Sequence, residues 1–292
     1  MSLSLASKTK IVMRTLIINA DDLGLSDYVN SQIERCIELG VVTSSSLMAN
    51  APAFEEGVKI AKRHTSVSVG VHLNLIEFAP LTNREVFQKH GLLDSNGNFI
   101  DGAALAVSYD EALKQAVFEE WDAQITKIEE AGLIPTHCDS HEHTHAVEAL
   151  QEVLCKVMDK HNITKLRRRI VPSIRLILRE SKQTTTVQFD KSNTVQPKRR
   201  NVIYRRIHFF VVKYKSWNWN RKMSKRYKLT NASYSFQSFY SNRDVLHLGG
   251  KSSFVELMVH PGNIPFQGET DLLMKDKSWL DNSYTLGTYR NL

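Results

Sequence analysis

The sequence lacks any long apolar run. No stretch approaches the roughly 18 consecutive apolar residues that a membrane-spanning helix requires, and the apolar stretch at residues 11–20 is interrupted by Arg14 and leads into two aspartates. This pattern predicts neither a membrane span nor a cleaved leader. With 42% hydrophobic and 24% charged residues, the composition is typical of a globular protein. We therefore expect a cytoplasmic protein that forms one domain over residues 1–292, a length that α/β barrels reach undivided.

Cysteine is also scarce. Cys36, Cys138 and Cys155 are the three in the chain, and no two of them have CxxC spacing. An odd number without that spacing argues against both a disulfide framework and a thiolate zinc site. We expect all three to be reduced and at least partly buried. Cys138 as a catalytic nucleophile is the alternative, and its histidine-rich surroundings argue against it.

Acidic residues are nearly missing from one part of the chain. Residues 165–230 contain 20 of the 38 Lys and Arg residues but only Glu180 and Asp190 of the 31 acids, a balance of +18. The rest of the chain carries 18 minus 29, or −11. We interpret residues 165–230 as a basic insertion or lid set into an acidic, enzyme-like body. The overall positive charge therefore describes this insertion and not an active site.

The remainder of the chain alternates between strands and helices. Short, β-branched apolar runs predict buried parallel strands at residues 15–18, 66–71, 254–259 and, more weakly, 133–136. Apolar residues at helical spacing predict helices at residues 30–39, 53–63, 110–131 and 146–161. This order predicts an α/β fold with a parallel sheet, either open or closed into a barrel. In both forms ligands gather at the carboxyl ends of the strands.

Ionisable side chains follow three of these strands. Asp21 and Asp22 follow the first, where adjacent carboxylates are costly to bury unless a cation lies beside them; helix capping is the alternative. His72 and Asn74 alternate with apolar residues, so they share one face at the end of the next strand; a histidine satisfied within the core is the alternative. His260 precedes a Pro-Gly turn after the last strand. That position suits a proton donor, or simply a turn histidine.

Residues 137–145 carry the strongest signal. Their sequence is HCDSHEHTH, and in an extended backbone its alternate residues would line one surface. These are His137, Asp139, His141, His143 and His145. Four imidazoles and a carboxylate suit a divalent metal whose ligands are oriented by neighbouring groups, although not all four can be ligands. A solvated, histidine-rich loop is the alternative.

These motifs, in this order, resemble the YdjC family of carbohydrate deacetylases, which includes chitooligosaccharide deacetylase. The matching segments are IINADDLGLS at residues 17–26, GVVTS at 40–44, GVHL at 70–73, THCDSHEHTH at 136–145 and HPG at 260–262. The resemblance covers residues 14–160 well and 232–290 more loosely. Leu23 stands where the family usually has Phe, and residues 165–230 show little resemblance to it.

The resemblance implies a distorted β/α barrel and a hydrolase that removes an acetyl group from an N-acetylated amino sugar or oligosaccharide. It also implies one divalent metal, magnesium or zinc, bound by Asp22, His72 and His141. Asp21 would be the general base and His260 the general acid.

Other side chains near these motifs are expected to support the ligands or contact the substrate. Asp139 would orient a histidine or could itself be a metal ligand. Four residues, His137, His143, His145 and Asn74, are left between supporting the ligands and contacting the substrate. We expect a sugar substrate and no nucleic-acid partner, and a homodimer stays open.

Two other functions stay open. The same barrel and metal could hydrolyse a phosphoester or a non-sugar amide, and a second metal about 3.5–4 Å from the first would favour the phosphoester. Alternatively, the basic segment could bind nucleic acid or a membrane surface. Its cations interleave with aromatic residues: Arg205, Arg206, Lys213, Lys215, Arg221 and Lys222 with Phe209, Phe210, Tyr214, Trp217 and Trp219.

Overall fold

The structure is a computed structural model, described here for residues 13–171, 202–242, 244, 246, 248–250, 253–275, 279–280 and 284–292. The strands in these ranges are β1 Arg14–Leu23, β2 Ser44–Leu47, β3 Ser68–Leu73, β4 Cys138–Ser140, β5 Ala232–Ser235, β6 Phe254–Val259 and β7 Tyr284–Gly287. The α-helices are α1 Asp27–Glu38, α2 Phe54–Arg63, α3 Glu85–Lys89, α4 Ala103–Ala106, α5 Glu111–Glu130, α6 Gln151–Lys160, α7 Val202–Met223, α8 Phe236–Asn242 and α9 Gln267–Lys275.

The seven strands form one parallel sheet. The strand order is β4-β3-β2-β1-β6-β5, and β7 pairs with the first half of β1. From Leu16 onward, every residue of β1 is buried, as expected for a parallel sheet that is covered on both faces. The prediction of an α/β fold with a parallel sheet is therefore confirmed.

The sheet curls into a distorted barrel. Beyond β4, isolated parallel bridges join Cys138 to Leu166 and Lys165 to Lys228. Lys228 lies four residues before β5, which pairs with β6. The pairing thus passes from β4 through the segment around Leu166 to β5, and then returns through β6 to β1. The segment around Leu166 therefore lies within the barrel wall, next to the ends of β4 and β5.

The C-terminal segment packs against the interior. The Tyr289 ring is buried and stacks on His137 with ring centroids 3.7 Å apart. Its backbone N–H donates to the Ser68 hydroxyl, and its carbonyl accepts a hydrogen bond from Lys165 Nζ at 2.6 Å. This segment therefore ties β3, β4 and the segment around Leu166 together.

Capping and packing explain where the main helices lie. Ser26 accepts a hydrogen bond from the Val29 N–H at the start of α1, and Asp110 accepts one from the Leu113 N–H at the start of α5. α5 buries Leu113, Trp121 and Ile125, among others, and packs against α6. Among the described residues, no helix is both long and apolar enough to cross a membrane.

The basic insertion predicted at residues 165–230 lies only partly within the described residues, because residues 172–201 fall outside them. Its first residues complete the barrel, as shown above. α7 packs on the body through Trp219, Asn220 and Met223, which are all buried. The Asn220 side chain also exchanges hydrogen bonds with the backbone of Arg169. The division into one domain with an insertion stays a prediction.

Candidate metal centre

A β-bulge at the end of β1 brings two adjacent carboxylates to the same end of the barrel. In a regular strand, the side chains of Asp21 and Asp22 would point to opposite faces. Here β1 pairs Ala20 with Ser45 and Leu23 with Leu47, so two residues of β1 oppose one of β2. Asp22 also adopts a left-handed backbone with φ of 68°. The extra residue re-aims the strand, and both carboxylates reach the carboxyl ends of the strands.

Asp22, His72 and His141 converge on one point. Asp22 Oδ1 lies 2.9 Å from His141 Nδ1 and 3.3 Å from His72 Nε2, and one donor atom from each residue lies within 4.8 Å of the others. Ligand atoms that share a metal at about 2.1 Å are separated by roughly 3.0–3.4 Å. The spacing and the donor types, one oxygen and two nitrogens, therefore fit a divalent cation.

The orientation of His72 also fits a metal ligand. His72 and Asp139 are register partners on β3 and β4, and His72 Nδ1 lies 2.6 Å from Asp139 Oδ1. A carboxylate that holds one ring nitrogen leaves the other nitrogen to face a metal. In His72, that second nitrogen is the one that faces Asp22.

The electrostatics around His72 indicate where a cation belongs. Burial disfavours the charged ring, but the Asp139 and Asp22 carboxylates outweigh it and raise the pKa of His72 to about 10. Burial would likewise raise the pKa of Asp22, whereas the hydrogen bonds from His141 and His72 hold it well below the usual range. Without a metal, a buried proton therefore supplies the positive charge between these side chains. A divalent cation would replace that proton.

Arg167 fixes the other carboxylate of the pair. Its guanidinium donates to both oxygens of Asp21 at 2.6 Å and lies 2.7 Å from Asp139 Oδ2. Burial opposes the ionisation of Asp21, but Arg167 lowers its pKa overall. The arginine therefore holds Asp21 as an anion beside the Asp22 cluster and links it to the carboxylate that orients His72.

Glu256 completes the surroundings of Arg167. It projects from β6, accepts a hydrogen bond from Arg167 Nε at 2.8 Å, and accepts another from the Ser233 hydroxyl at 3.0 Å. Burial raises the pKa of Glu256, although Arg167 opposes the rise. Three buried carboxyl groups, those of Asp21, Asp139 and Glu256, thus contact one buried guanidinium, and the buried carboxyl group of Asp22 is a fourth in the centre. This excess of acidic groups is a second reason why a cation fits the centre.

His260 lies on the side of Asp21 that faces the end of β6. Its Nε2 is 3.8 Å from Asp21 Oδ2, and its Nδ1 is 3.6 Å from Glu269 Oε1. The ring stacks on Phe266 with centroids 4.2 Å apart. Burial opposes protonation, but the Glu269 and Asp21 carboxylates raise the pKa of His260 to about 9. The imidazolium can therefore hold a proton at neutral pH.

The 137–145 segment does not run as one extended face. The strand β4 ends at Ser140, and a 3-10 turn follows at His141–Ala146, in which Glu142 and His143 have φ of 50° and 57°. Alternation therefore stops after Asp139. His141 reaches Asp22, whereas His137 stacks on Tyr289 within the barrel.

His143 and His145 leave the turn in different directions. His145 Nδ1 lies 2.6 Å from the Ser140 hydroxyl, and its ring contacts Trp219 edge to face. Burial, the first cause, and the neighbouring His143 hold the pKa of His145 well below its usual value. The His143 side chain is exposed and lines a neighbouring cleft.

The Asn74 side chain bonds to Asn50 and to the loop after β3. Its amide nitrogen donates to Asn50 Oδ1 and the Glu77 carbonyl, and its amide oxygen accepts from the Ile76 and Glu77 N–H groups. The side chain therefore holds the loop after β3. Its sequence-derived role as a substrate contact stays a prediction.

Three residues of the centre are not predicted from the sequence. Arg167 lies in a run of three arginines, where composition marks it only as part of the basic segment. Glu256 was hidden inside an apolar strand, where an isolated acid is itself a signal of a buried partner. Asn263 Nδ2 donates to Asp22 Oδ2 at 3.1 Å, and it lies in the turn that follows His260.

A cleft of about 450 Å³ opens beside His143. Its wall includes Glu142, Glu148 and Arg169, together with Lys215 and other residues of α7. It therefore combines apolar surface with charged groups of both signs next to the cluster. This is a composition that suits a polar ligand of small or medium size.

The family model of YdjC-like proteins matches residues 15–282 of the chain. A carbohydrate deacetylase of Clostridium beijerinckii is 36% identical over 152 residues, which cover 51% of this chain and 58% of that protein. A carbohydrate deacetylase of Geobacillus stearothermophilus is 39% identical over 132 residues, covering 45% and 51%. The aligned part of this chain thus spans little more than half the length of these relatives.

One solved structure is similar over nearly its full length. It comes from Enterococcus faecalis V583 and is described as that of a candidate cellobiose-phosphate cleavage protein. The TM-score is 0.67 at 20% sequence identity, and the match covers 96% of this chain and 98% of that one. At this identity the similarity concerns the fold alone.

Proposed function

The chain belongs to the YdjC-like family, and from this premise we propose that it is a divalent-metal-dependent hydrolase that removes the acetyl group from an N-acetylated amino sugar. The observation that carries the proposal is the convergence of Asp22, His72 and His141, with Asp21 and His260 beside them. The names of the relatives support the substrate class.

In this proposal Asp22, His72 and His141 hold one Mg²⁺ or Zn²⁺. The cation, when bound, would polarise the acetyl carbonyl and make a water more acidic. Asn263 would steady the second oxygen of Asp22, and Asp139 would keep His72 in the tautomer that presents Nε2. The protein groups thus fix the ligand positions before substrate arrives.

Asp21 and His260 would handle the two proton transfers. An amide has a poor leaving group, so its hydrolysis needs a base for the water and a proton for the departing amine. Asp21 would accept the proton of the water, while Arg167 keeps its carboxylate in place. His260, with its pKa of about 9, would donate a proton to the nitrogen as the C–N bond breaks.

The proposed roles of the remaining histidines follow from their positions. His143 lines the cleft and would contact the sugar, whereas His137 and His145 are buried beside Tyr289 and Trp219 and would support the site from behind. The cleft would accept the parts of the substrate beyond the acetylated sugar.

Phosphoester hydrolysis by a two-metal site is less well supported. The other possible donor group near the centre, Asp21, His72 and Asp139, shares His72 with the first. Its two carboxylates are already paired with the Arg167 guanidinium at 2.6–2.7 Å. A second cation there would have to displace a buried guanidinium, so we favour the one-metal reaction.

Acetate release tests the proposal directly. The full chain would be treated with a chelator, restored with Mg²⁺ or Zn²⁺, and offered a panel of N-acetylated mono- and oligosaccharides beside phosphoester and non-sugar acetamide substrates. We expect acetate from at least one amino sugar, only after metal is restored, and none from Asp22→Asn. Phosphate release with no acetate from any sugar would contradict the proposal.

A further inference from the structure

Helix α7 has two faces of different character. Phe209, Trp219 and Met223 are buried against the body. On another face, Phe210, Tyr214 and Trp217 are 58%, 63% and 50% exposed. We call these three residues the aromatic stripe, because the spacing i, i+4, i+7 places them on one side of the helix.

Cations surround the aromatic stripe. Arg221 continues it by one more turn, with its guanidinium 5.3 Å from the centre of the Trp217 ring. The sequence contains no Asp or Glu between Asp190 and Asp244, whereas those 53 residues include 14 Lys or Arg residues. The stripe is therefore exposed, and it belongs to a part of the sequence that carries many cations and no acidic residue.

The stripe does not belong to the cleft beside the candidate metal centre. The cleft is lined by Val212, among other residues of α7. Val212 is two residues from Phe210 and two from Tyr214, which places it roughly 160° around the helix from both. A ligand in the cleft would thus contact one side of α7 and leave the stripe free. The large exposed aromatic area needs another explanation.

We propose that α7 docks the protein on an anionic membrane surface. Trp, Tyr and Phe side chains flanked by Lys and Arg are the composition of helices that lie in the interface, where aromatic rings enter the headgroup region and cations meet lipid phosphates. α7 carries too many charges to cross the bilayer, so the contact is peripheral. This inference does not rest on the proposed hydrolase activity.

Charge and shape argue against other partners for the aromatic stripe. In a two-fold dimer the same patch would face itself, so that the cations of α7 would repel those of the second copy. Single-stranded nucleic acid is held in a groove in which aromatic rings support successive bases. The stripe is instead on a convex helix face. An anionic bilayer is both extended and complementary in charge.

The tryptophans provide a direct probe of docking. Of the four tryptophans, Trp121, Trp219 and Trp279 are buried, whereas Trp217 is exposed. The full chain would be mixed with vesicles of phosphatidylcholine alone or of equal parts phosphatidylcholine and phosphatidylglycerol. We expect a blue shift of the fluorescence, and quenching by brominated lipid, with the anionic vesicles. Both signals should disappear in Trp217→Phe.

Vesicle co-sedimentation measures the contribution of the whole stripe. The variant Phe210→Ser/Tyr214→Ser/Trp217→Ser should bind anionic vesicles at least about tenfold more weakly, because three apolar anchors are removed. Ile134→Ser is the matched control, since Ile134 is 89% exposed but lies outside α7, and it should bind like the parent chain. Circular dichroism would establish that each variant is folded.

Each outcome supports or contradicts the proposal that α7 docks on an anionic membrane. Weaker binding in high salt and by the triple variant, with the control unchanged, supports it. Equal binding to neutral and anionic vesicles, equal binding by the triple variant, or no binding of the parent chain at low salt would overturn it. Loss of dimerisation or of oligonucleotide binding in the triple variant, without any vesicle binding, would assign the stripe to those partners. Acetate release, assayed in parallel, is expected to be unchanged in the triple variant whatever the vesicle result.

Discussion

At the scale of single residues, the centre depends on how the bulge separates two neighbouring aspartates. Asp22 faces two imidazoles, while Asp21 faces a guanidinium. Both are buried carboxylates with lowered pKa values, yet their partners differ in kind. Replacement of Asp22 should therefore affect metal affinity, whereas replacement of Asp21 should affect turnover.

We predict that Asp22→Asn binds metal at least about 100-fold more weakly, because a charged ligand is lost. Asp21→Asn should keep metal affinity close to that of the parent chain but slow turnover by about 10²-fold or more, as expected for a lost general base. Isothermal titration with Zn²⁺ and steady-state kinetics measure the two effects. Glu142→Gln, in the same turn as His141 but exposed, is the control for the metal titration. Equal loss of metal in both aspartate variants would show that the roles are divided wrongly.

The raised pKa of His260 predicts how turnover and stability depend on pH. Its pKa is raised from 6.5 to about 9, so the ring is protonated below that pH. If His260 is the acid, the turnover rate should fall as pH rises through about 9. Stability from its carboxylate partners should likewise be complete below pH 6.5 and lost over the same rise.

Glu269→Gln tests the cause of that shift. Without this carboxylate the pKa of His260 should decrease, and the fall in turnover should begin at a lower pH. The pH–rate profiles of the parent chain and the variant are the measurement. An unchanged alkaline limb would contradict the assignment of His260.

The sequence shows some of these residues better than others. Topology alone predicts that side chains meet at the carboxyl ends of parallel strands, and five residues lie at or just after such ends: Asp21, Asp22, His72, His141 and His260. Arg167 cannot be distinguished from Arg168 and Arg169 by composition. Only the bridge pairing of Leu166 places it in the barrel wall, and such pairing depends on contacts between distant parts of the chain.

At the scale of elements, periodicity predicts α1, α2, α5, α6 and several strands, but not α7, which at 22 residues is the longest described helix. The predicted strand at residues 254–259 has the bounds that the structure shows, and the helix predicted at 110–131 is α5. The sequence SSSL of β2 contains no apolar alternation, so its strand was not predicted. The strand predicted at 133–136 begins instead at Cys138, because pairing with β3 decides its position.

Because α7 has a buried and an exposed face, substitutions of its two tryptophans should change the free energy of unfolding by very different amounts. Trp219→Ala should lower the free energy of unfolding by about 3–5 kcal/mol, because it leaves a cavity where a buried ring packs beside His145. Trp217→Ala, half exposed on the same helix, should change it by less than about 0.5 kcal/mol. Urea denaturation of both variants is the measurement. Similar losses of stability in the two variants would contradict the placement of Trp219 in the core and of Trp217 on the exposed face.

At the scale of the whole molecule, the acidic centre links metal binding to stability. The carboxyl groups and histidines around Asp22 come from β1, β3, β4, β6 and the turn after β4. A cation that binds only this folded arrangement should stabilise the entire chain. Thermal unfolding with Zn²⁺ at about 100 times its Kd should show roughly 2.7 kcal/mol more stability than with a chelator. In Asp22→Asn that difference should vanish, and its persistence would place the metal elsewhere.

The pairing of β1 has a consequence for how the protein is made. Thr15 and Leu16 pair with Phe254 and Val255 of β6, which lie 239 residues later in the chain. At about 5–20 residues per second, a ribosome needs roughly 12–50 s to supply that partner. During this time the edge of β1 that pairs with β6 stays unpaired, and it includes the apolar residues Leu16, Ile17 and Ile18. β1 is therefore an aggregation hazard until β6 has emerged, and chaperone supply during translation should determine the yield of folded protein.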